Sequence, residues 1–174
     1  MKLLTGLILY GVLNSAALYL VAKSVGNNMP LFHIYTLFAY LFIALLFSLW
    51  HKKRMARLIR LSIPAFYIIY AILLGMGYEK LHLPNKYTLS IMGILVAVIA
   101  LYTLYISLRD HTDFPVHRDE RFWVSLGTFS SYSNNILVFS SIPLFITLPL
   151  WQIYSVLIII GNILYIKGYL CLRK

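Results

Sequence analysis

The sequence predicts an all-α membrane protein, a polytopic bundle of about six transmembrane helices with both termini on the cytoplasmic side. The first observation is composition: of 174 residues, 61% are hydrophobic and only 11% are charged, and the mean hydropathy is +0.82. An ordinary soluble domain carries about 25% charged residues, so this chain has too few charges to cover a water-facing surface. The second observation is that apolar runs of roughly 20 residues recur, the length that spans the hydrocarbon core of a bilayer as a helix.

The first predicted helix covers residues 3–22. Lys2 followed by an apolar run is also typical of a signal peptide, but this run is longer than usual for one, so we expect a membrane helix. The remaining apolar runs predict helices over residues 31–50, 61–78, 87–108, 122–140 and 150–170. The connections "KSVGNNMP", "HKKRMARLIR", "YEKLHLPNK", "RDHTDFPVHRDER" and "IPLFITLP" contain Pro, Asn, Gly or charge. None is large enough for a soluble domain, so residues 1–174 form one predicted transmembrane domain.

The distribution of Lys and Arg predicts the orientation in the cell membrane. With the N-terminus inside, twelve of the fifteen Lys and Arg residues lie on the inner side, and only Lys23, Lys80 and Lys86 lie outside. Short cytoplasmic loops are enriched in these residues. The net charge of +10 then follows from topology and from attraction to anionic lipid. We expect no nucleic-acid partner, since the sequence lacks a basic folded surface with stacking aromatic residues.

A cluster of polar residues interrupts the fifth predicted helix in "FSSYSNNILVF". Helical spacing places Ser131, Asn134 and Asn135 on one broad stripe. Unpaired amides and hydroxyls are costly in hydrocarbon, so we expect this stripe to face the bundle or a partner subunit. Asn14 and Asn162, in the middle of the first and last predicted helices, are candidate hydrogen-bond mates. The stripe is therefore a packing seam, the lining of a ligand cavity or the lining of a pore.

Two further groups of residues are candidates for function. His33, Glu79 and His82 lie on the outer side in this topology, where they are either polar residues wetted by lipid headgroups or a small metal or pH-sensing site. The connection after the second predicted helix is a candidate cytoplasmic signalling surface because it carries a dense run of basic residues. These are Lys52, Lys53, Arg54, Arg57 and Arg60.

The distribution of reactive side chains argues against catalysis and ion coupling. All five acidic residues fall in predicted connections, so no predicted span carries the carboxylate that ion-coupled transporters usually keep within the membrane. Only His33 among the histidines lies within a predicted span, and Cys171 is the single cysteine. Zinc hydrolases need several converging ligands. We therefore predict no catalytic residues, no metal and no cofactor, and more readily a binding protein than an enzyme.

Three segments resemble a known group of proteins: "FWVSLGTFSSYSNNILVF", "LFHIYTLFAYLFIALLF" after an Asn-Asn pair, and "YTLSIMGILVAVIALYTL". Together they resemble an uncharacterised family of bacterial multi-helix membrane proteins, often with seven helices and often encoded near sensor histidine kinases. The similarity extends from about residue 27 onwards and rests on apolar patterning. The chain departs from the family in having six predicted spans where members often have seven, so it lacks a counterpart of the family's initial helix. The resemblance implies a multi-pass protein of the bacterial inner membrane with a role in signalling.

These observations lead to three hypotheses about function. The first is a membrane sensory or interaction module that binds a small or lipidic ligand within the bundle and signals to a cytoplasmic or membrane protein partner. The second is a small oligomeric channel or facilitator, for which the stripe on the fifth helix would supply half of a polar path. The third is a lipid-modifying enzyme, which would need a nucleophile and a base that the sequence does not provide. The lipid bilayer is an expected partner in all three, and a homo-oligomer is an expected assembly in the second.

Overall fold

The computed structural model describes residues 13, 20, 21, 23, 27–110, 116–140 and 150–171, except for the side chains of residues 110, 117, 134–140 and 150–154. Within these residues all regular secondary structure is helical, which confirms the all-α class. The helices are α1 (Met29–Trp50), α2 (Lys53–Gly75), α3 (Lys86–Asp110), α4 (Glu120–Ser140) and α5 (Leu150–Cys171), with a short 3₁₀ helix (Val116–Arg118) before α4. They correspond to the second to sixth predicted helices, and most of the first, residues 3–22, lies outside the described residues.

The largest difference from the predicted boundaries is at the start of α2, which begins at Lys53 rather than at residue 61. The basic run was predicted to be a connection because of its charge. In the structure Ala56 and Ile59 are buried, whereas Arg57 and Leu58 are exposed. The segment is thus the amphipathic first part of a helix, with its charges exposed and with Ala56 and Ile59 on the buried face.

Three helical segments are long and apolar enough to cross a membrane by length and composition, namely Met29–Trp50, Lys53–Gly75 and Lys86–Arg109. The helical segment Ser155–Cys171 is apolar but shorter. Many large apolar side chains on these helices are exposed. On α2 they include Leu58, Leu61, Ile68 and Ile72, and on α5 they include Ile159, Ile163 and Ile166.

The chain divides into two compact units, residues 1–89 and 90–174. In the first unit α1 and α2 pack together after a two-residue connection. Their interface is aromatic, with Tyr40 and Phe66 rings 4.3 Å apart between centroids. α2 ends at Gly75, and Gly77 follows with a φ of 73°, a left-handed conformation that glycine adopts without strain. This turn sends the chain back towards the start of α3.

In the second unit α4 and α5 pack closely against each other. The Tyr165 hydroxyl donates to Thr128 Oγ1 at 3.0 Å, which adds one polar contact to an apolar interface. The Lys167 ammonium lies 3.7 Å from the centre of the Trp123 ring, so its charge is placed over an aromatic face. Asp119 precedes α4, and its Oδ1 accepts from the backbone N–H of Arg121 at 2.9 Å, the usual arrangement of an N-cap.

Candidate functional site

A buried histidine lies at the end of the first unit where α1 begins. His33 is 1% exposed, and its Nε2 lies 3.0 Å from the Leu83 carbonyl while its Nδ1 lies 3.0 Å from the Tyr70 hydroxyl. A carbonyl only accepts hydrogen bonds. Nε2 therefore carries the hydrogen, and Nδ1 accepts from Tyr70. Both ring nitrogens are engaged in holding α1, α2 and the loop before α3 together.

Glu79 is buried in the same loop and completes the start of α3. Its Oε1 accepts from the Thr88 backbone N–H at 2.7 Å, and its Oε2 accepts from the Thr88 hydroxyl at 2.5 Å. The first N–H groups of a helix have no partner within the helix, and the positive end of the helix dipole favours a carboxylate. The carboxylate thereby fixes the start of α3 from nine residues upstream.

Asn85, the residue before α3, carries an incomplete set of hydrogen bonds. Its Nδ2 donates to Thr36 Oγ1 at 2.9 Å, and that hydroxyl is itself the donor to the Phe32 carbonyl. Because the only hydroxyl hydrogen of Thr36 is donated to the Phe32 carbonyl, the Asn85 group that faces Thr36 must be the amide N–H. Asn85 Oδ1 is buried and has no hydrogen-bond donor among the described residues. Leaving a buried acceptor unpaired costs about 1–3 kcal/mol. We call His33, Tyr70, Glu79 and Asn85 with Thr36 the polar end of the first unit.

The predicted outer-side group of His33, Glu79 and His82 is only partly represented in this polar end. His33 and Glu79 are buried but have separate partners, and His82 is exposed. Among the described residues, no three His, Cys, Asp or Glu side chains come together as ligands for a metal ion. Tyr70, Thr36, Asn85 and Thr88, which complete the hydrogen bonds, were not predicted as site residues.

The opposite end of the first unit carries an open cavity of about 510 Å³. It lies where α1 ends and α2 begins, and we call it the basic cavity. Arg60 Nε donates to Ser48 Oγ at 3.2 Å, so its side chain is tethered to α1. The lining residues are Ser48, Leu49, His51, Lys53, Ala56, Arg57, Arg60 and Leu61. Of the predicted basic surface, Lys53, Arg57 and Arg60 line the cavity, whereas Lys52 and Arg54 are exposed outside its lining.

The predicted stripe on α4 begins in a close contact between two helices. A Cβ built on Gly161 would overlap Ser131 Oγ, and one built on Gly127 would lie 2.9 Å from the Gly161 carbonyl oxygen. Backbones approach this closely only where side chains are small. We call the contact of Gly127 and Ser131 with Gly161 the small-residue seam. Ser133 Oγ, further along α4, is buried without a hydrogen-bond partner among the described residues.

Of the other predicted members of the stripe, the structure describes the side chain of Asn162 alone. Asn162 is exposed on α5. The side chains of Asn134 and Asn135, and the whole of Asn14, lie outside the described residues. A role for the two α4 asparagines in ligand binding stays a prediction.

Asp119 is a buried carboxylate of the second unit with several hydrogen-bond donors. Burial by itself raises its pKa, but hydrogen bonds from the Ser107 hydroxyl and from the Arg121 backbone and guanidinium, with the Arg121 charge, outweigh burial and hold the pKa below its ordinary value of 3.8. Arg121 Nε lies 3.2 Å from Asp119 Oδ1. The group therefore stays ionised and ties the end of α3 to the start of α4.

Comparison with known proteins found no match: no family model, no curated protein and no solved structure matches this chain.

Proposed function

We propose that this chain is a multi-pass membrane protein that binds a small or lipidic ligand and passes the event to a cytoplasmic partner, without covalent chemistry. Three long apolar helices support the membrane placement. The exposed apolar residues of α2, α3 and α5 support it further, because soluble proteins rarely leave continuous apolar faces open to water. In the proposed topology the polar end faces outwards and the basic cavity faces the cytoplasm.

The observation that carries the ligand proposal is Asn85 Oδ1, a buried acceptor without a donor. A ligand that presents a hydroxyl or N–H group to this oxygen would recover the hydrogen bond that the described residues leave unmade. Its chain neighbours Pro84 and Lys86 are exposed, so Asn85 lies in a segment at the protein surface. His33 and Glu79 have all their strong partners within the protein, and their role is to hold this end rigid.

The packing of α1 against α2 supports a route from the polar end to the cytoplasmic side. Asn85 contacts α1 through Thr36, and Tyr70 contacts α1 through His33. Further along the same two helices, Arg60 of α2 contacts Ser48 of α1. A ligand that shifts one end of this helix pair therefore changes the geometry of the other. The resemblance to a family encoded near sensor histidine kinases is compatible with a signalling partner there.

The membrane placement is tested by cysteine accessibility. In a Cys171→Ser background, single cysteines replace His82 and Lys52, which are both exposed. In intact cells we expect a membrane-impermeant maleimide to label the cysteine at position 82 and to reach the one at position 52 only after permeabilisation. Equal labelling of both positions in intact cells would contradict the proposed topology.

Ligand binding at the polar end is tested by native mass spectrometry of protein purified in mild detergent. We expect a stoichiometric adduct on the wild type and on Thr36→Val, which keeps Asn85 Oδ1, and its loss from Asn85→Leu, which removes that oxygen. Both variants disrupt the contact between Asn85 and Thr36, so their difference isolates the unpaired oxygen. An adduct that persists on Asn85→Leu, or a wild type without one, would refute the proposal.

A further inference from the structure

We propose that the basic cavity is a binding site for a phosphoryl group. Lys53, Arg57 and Arg60 line it together with His51, and no acidic residue is among the lining residues. No carboxylate in the described part of the chain pairs with these three cations. Like charges held this close repel each other, so an anion between them stabilises the folded arrangement.

The helix geometry concentrates these charges on one side. Lys53, Arg57 and Arg60 are spaced at i, i+4 and i+7 on α2, which places them on one face of successive turns. Ala56, also in the lining, is small and nearly buried, which leaves room above it. The three cations are exposed to solvent and lie along one side of the open cavity.

Arg60 is held ready for an anion. Its Nε donates to Ser48 Oγ, and Ser48 is buried and donates in turn to the Leu45 carbonyl. The two terminal amino groups of Arg60 have no partner in the described structure. A guanidinium fixed by one nitrogen and open at the other two can form the paired hydrogen bonds that phosphoryl oxygens accept.

The N-terminus of α2 also favours an anion in the cavity. No side chain of the described residues caps this helix, and its first turn contains no acidic residue. Cations near a helix N-terminus are unfavourable, whereas an anion is stabilised by the free N–H groups and the helix dipole. A phosphoryl group in the cavity would accept hydrogen bonds from the N–H groups at the start of α2 and would neutralise part of the charge of Lys53, Arg57 and Arg60.

The phosphoryl group has two sources, an anionic phospholipid headgroup or a soluble phosphate. The exposed apolar residues Leu49 and Leu61 in the lining would lie beside the acyl chains of a lipid. Basic pockets at the cytoplasmic ends of membrane helices are suited to anionic headgroups. The lipid source rests on the membrane placement proposed above, whereas binding of soluble phosphate does not.

The test uses the full chain, delipidated in a neutral detergent, with heat stability and calorimetry as readouts. The probes are inorganic phosphate, short-chain phosphatidic acid and, as a zwitterionic control, short-chain phosphatidylcholine. We expect phosphatidic acid to bind and to raise the melting temperature, with Arg57→Gln and Arg60→Gln each weakening binding roughly tenfold or more. Arg54→Gln removes the same charge from the same helix outside the cavity, and it should change binding by less than about threefold.

Each outcome decides between defined alternatives. Binding of both phosphate and phosphatidic acid, lost in the cavity variants, identifies a general phosphoryl site; binding of phosphatidic acid alone identifies a headgroup site. Equal losses in Arg54→Gln and the cavity variants, or binding to neither anion, would overturn the proposal and leave a solvated basic face. Arg57→Lys keeps the positive charge but cannot form paired hydrogen bonds to a phosphoryl group. It should therefore bind phosphatidic acid more weakly than the wild type and more tightly than Arg57→Gln.

Asn85→Leu separates this proposal from the proposed function. It leaves every lining residue of the basic cavity in place, so phosphatidic acid should still bind to this variant, and Arg60→Gln should still weaken that binding in the double variant. If the phosphoryl site fails while the Asn85-dependent adduct is found, only the present inference falls. If the reverse occurs, the basic cavity stands without the ligand site at the polar end.

Discussion

The small-residue seam predicts which glycine of this chain tolerates a methyl group. In Gly127→Ala the new Cβ would lie 2.9 Å from the Gly161 carbonyl oxygen and 3.2 Å from Leu164 Cβ. The carbonyl is backbone and cannot rotate away, so α4 and α5 must move apart. Overpacking of this kind costs about 1–3 kcal/mol. Gly75→Ala is the matched control, because nothing lies within 4 Å of its Cβ position.

The control accounts for only part of the effect of helix propensity. Alanine is favoured over glycine in a helix interior by about 1 kcal/mol, and Gly127 lies inside α4, whereas Gly75 is the last residue of α2 and gains less. Gly127→Ala should therefore be the less stable of the two variants, by up to about 3 kcal/mol from overpacking.

A second pair of substitutions tests the same seam through a side chain. In Gly161→Ala the new Cβ overlaps Ser131 Oγ, whereas the Gly127 carbonyl oxygen at 3.3 Å and Ser131 Cβ at 3.5 Å are less close. Ser131→Ala removes the overlapping oxygen and should recover about 1–2 kcal/mol of the loss. It should not rescue Gly127→Ala, whose obstacle is a carbonyl. If Ser131→Ala rescues Gly161→Ala but not Gly127→Ala, the result would support the contact of Ser131 with Gly161 specifically.

The assay is reversible unfolding in mixed detergent micelles, followed by circular dichroism and by tryptophan fluorescence. The reasoning would be refuted if Gly127→Ala were as stable as Gly75→Ala. It would also fail if Ser131→Ala rescued both seam variants equally or neither. Either result would mean that α4 and α5 do not meet at Gly127 and Gly161.

Three further predictions concern single polar contacts. Folding lowers the pKa of Asp119, so its ionised form stabilises the protein above about pH 4, and this stabilisation is lost as the pH falls through the lowered pKa. The melting temperature of Asp119→Asn should therefore be lower than that of the wild type at pH 7, and the difference should be smaller at pH 3. A gap independent of pH would contradict this. Tyr165→Phe removes the hydrogen bond to Thr128 and should cost about 0.6 kcal/mol in the same unfolding assay, the average for such contacts between membrane helices. Glu79→Ala leaves the Thr88 N–H without its acceptor and should cost about 1–3 kcal/mol, and a neutral effect would show that the carboxylate does not hold the start of α3.

Hydrophobic runs alone were sufficient to predict the helices that the structure describes. The predicted range 31–50 compares with Met29–Trp50, and 150–170 compares with Leu150–Cys171. The start of α2 was missed because charge was weighted above periodicity. Ala56 and Ile59 are spaced at i and i+3, the signal of a buried helical face that could have extended the prediction back through the basic run.

The partners of the candidate residues were harder to predict than the residues themselves. Ser131 was expected to face the bundle or a partner subunit, and among the described residues it lies against Gly161 of α5. The small residues of α5 were visible in the sequence, yet their register against α4 depends on packing that spacing does not specify. Glu79 was predicted to lie with His33 and His82. Its carboxylate instead accepts from the Thr88 N–H at the start of α3, one of the N–H groups that has no partner within the helix.

The interface between α1 and α2 limits how a signal could pass along the first unit. Ser62 donates its hydrogen to the Ile59 carbonyl, so the Tyr40 hydroxyl, 2.7 Å from Ser62 Oγ, must be the donor in that contact. Sliding α2 along α1 would leave the buried Tyr40 hydroxyl unpaired in an apolar interface, which is costly. A tilt of α2 about this contact keeps the bond. We therefore expect ligand binding near Asn85 to tilt the helix pair, and a tilt alters the separation of Ser48 and Arg60 in the basic cavity.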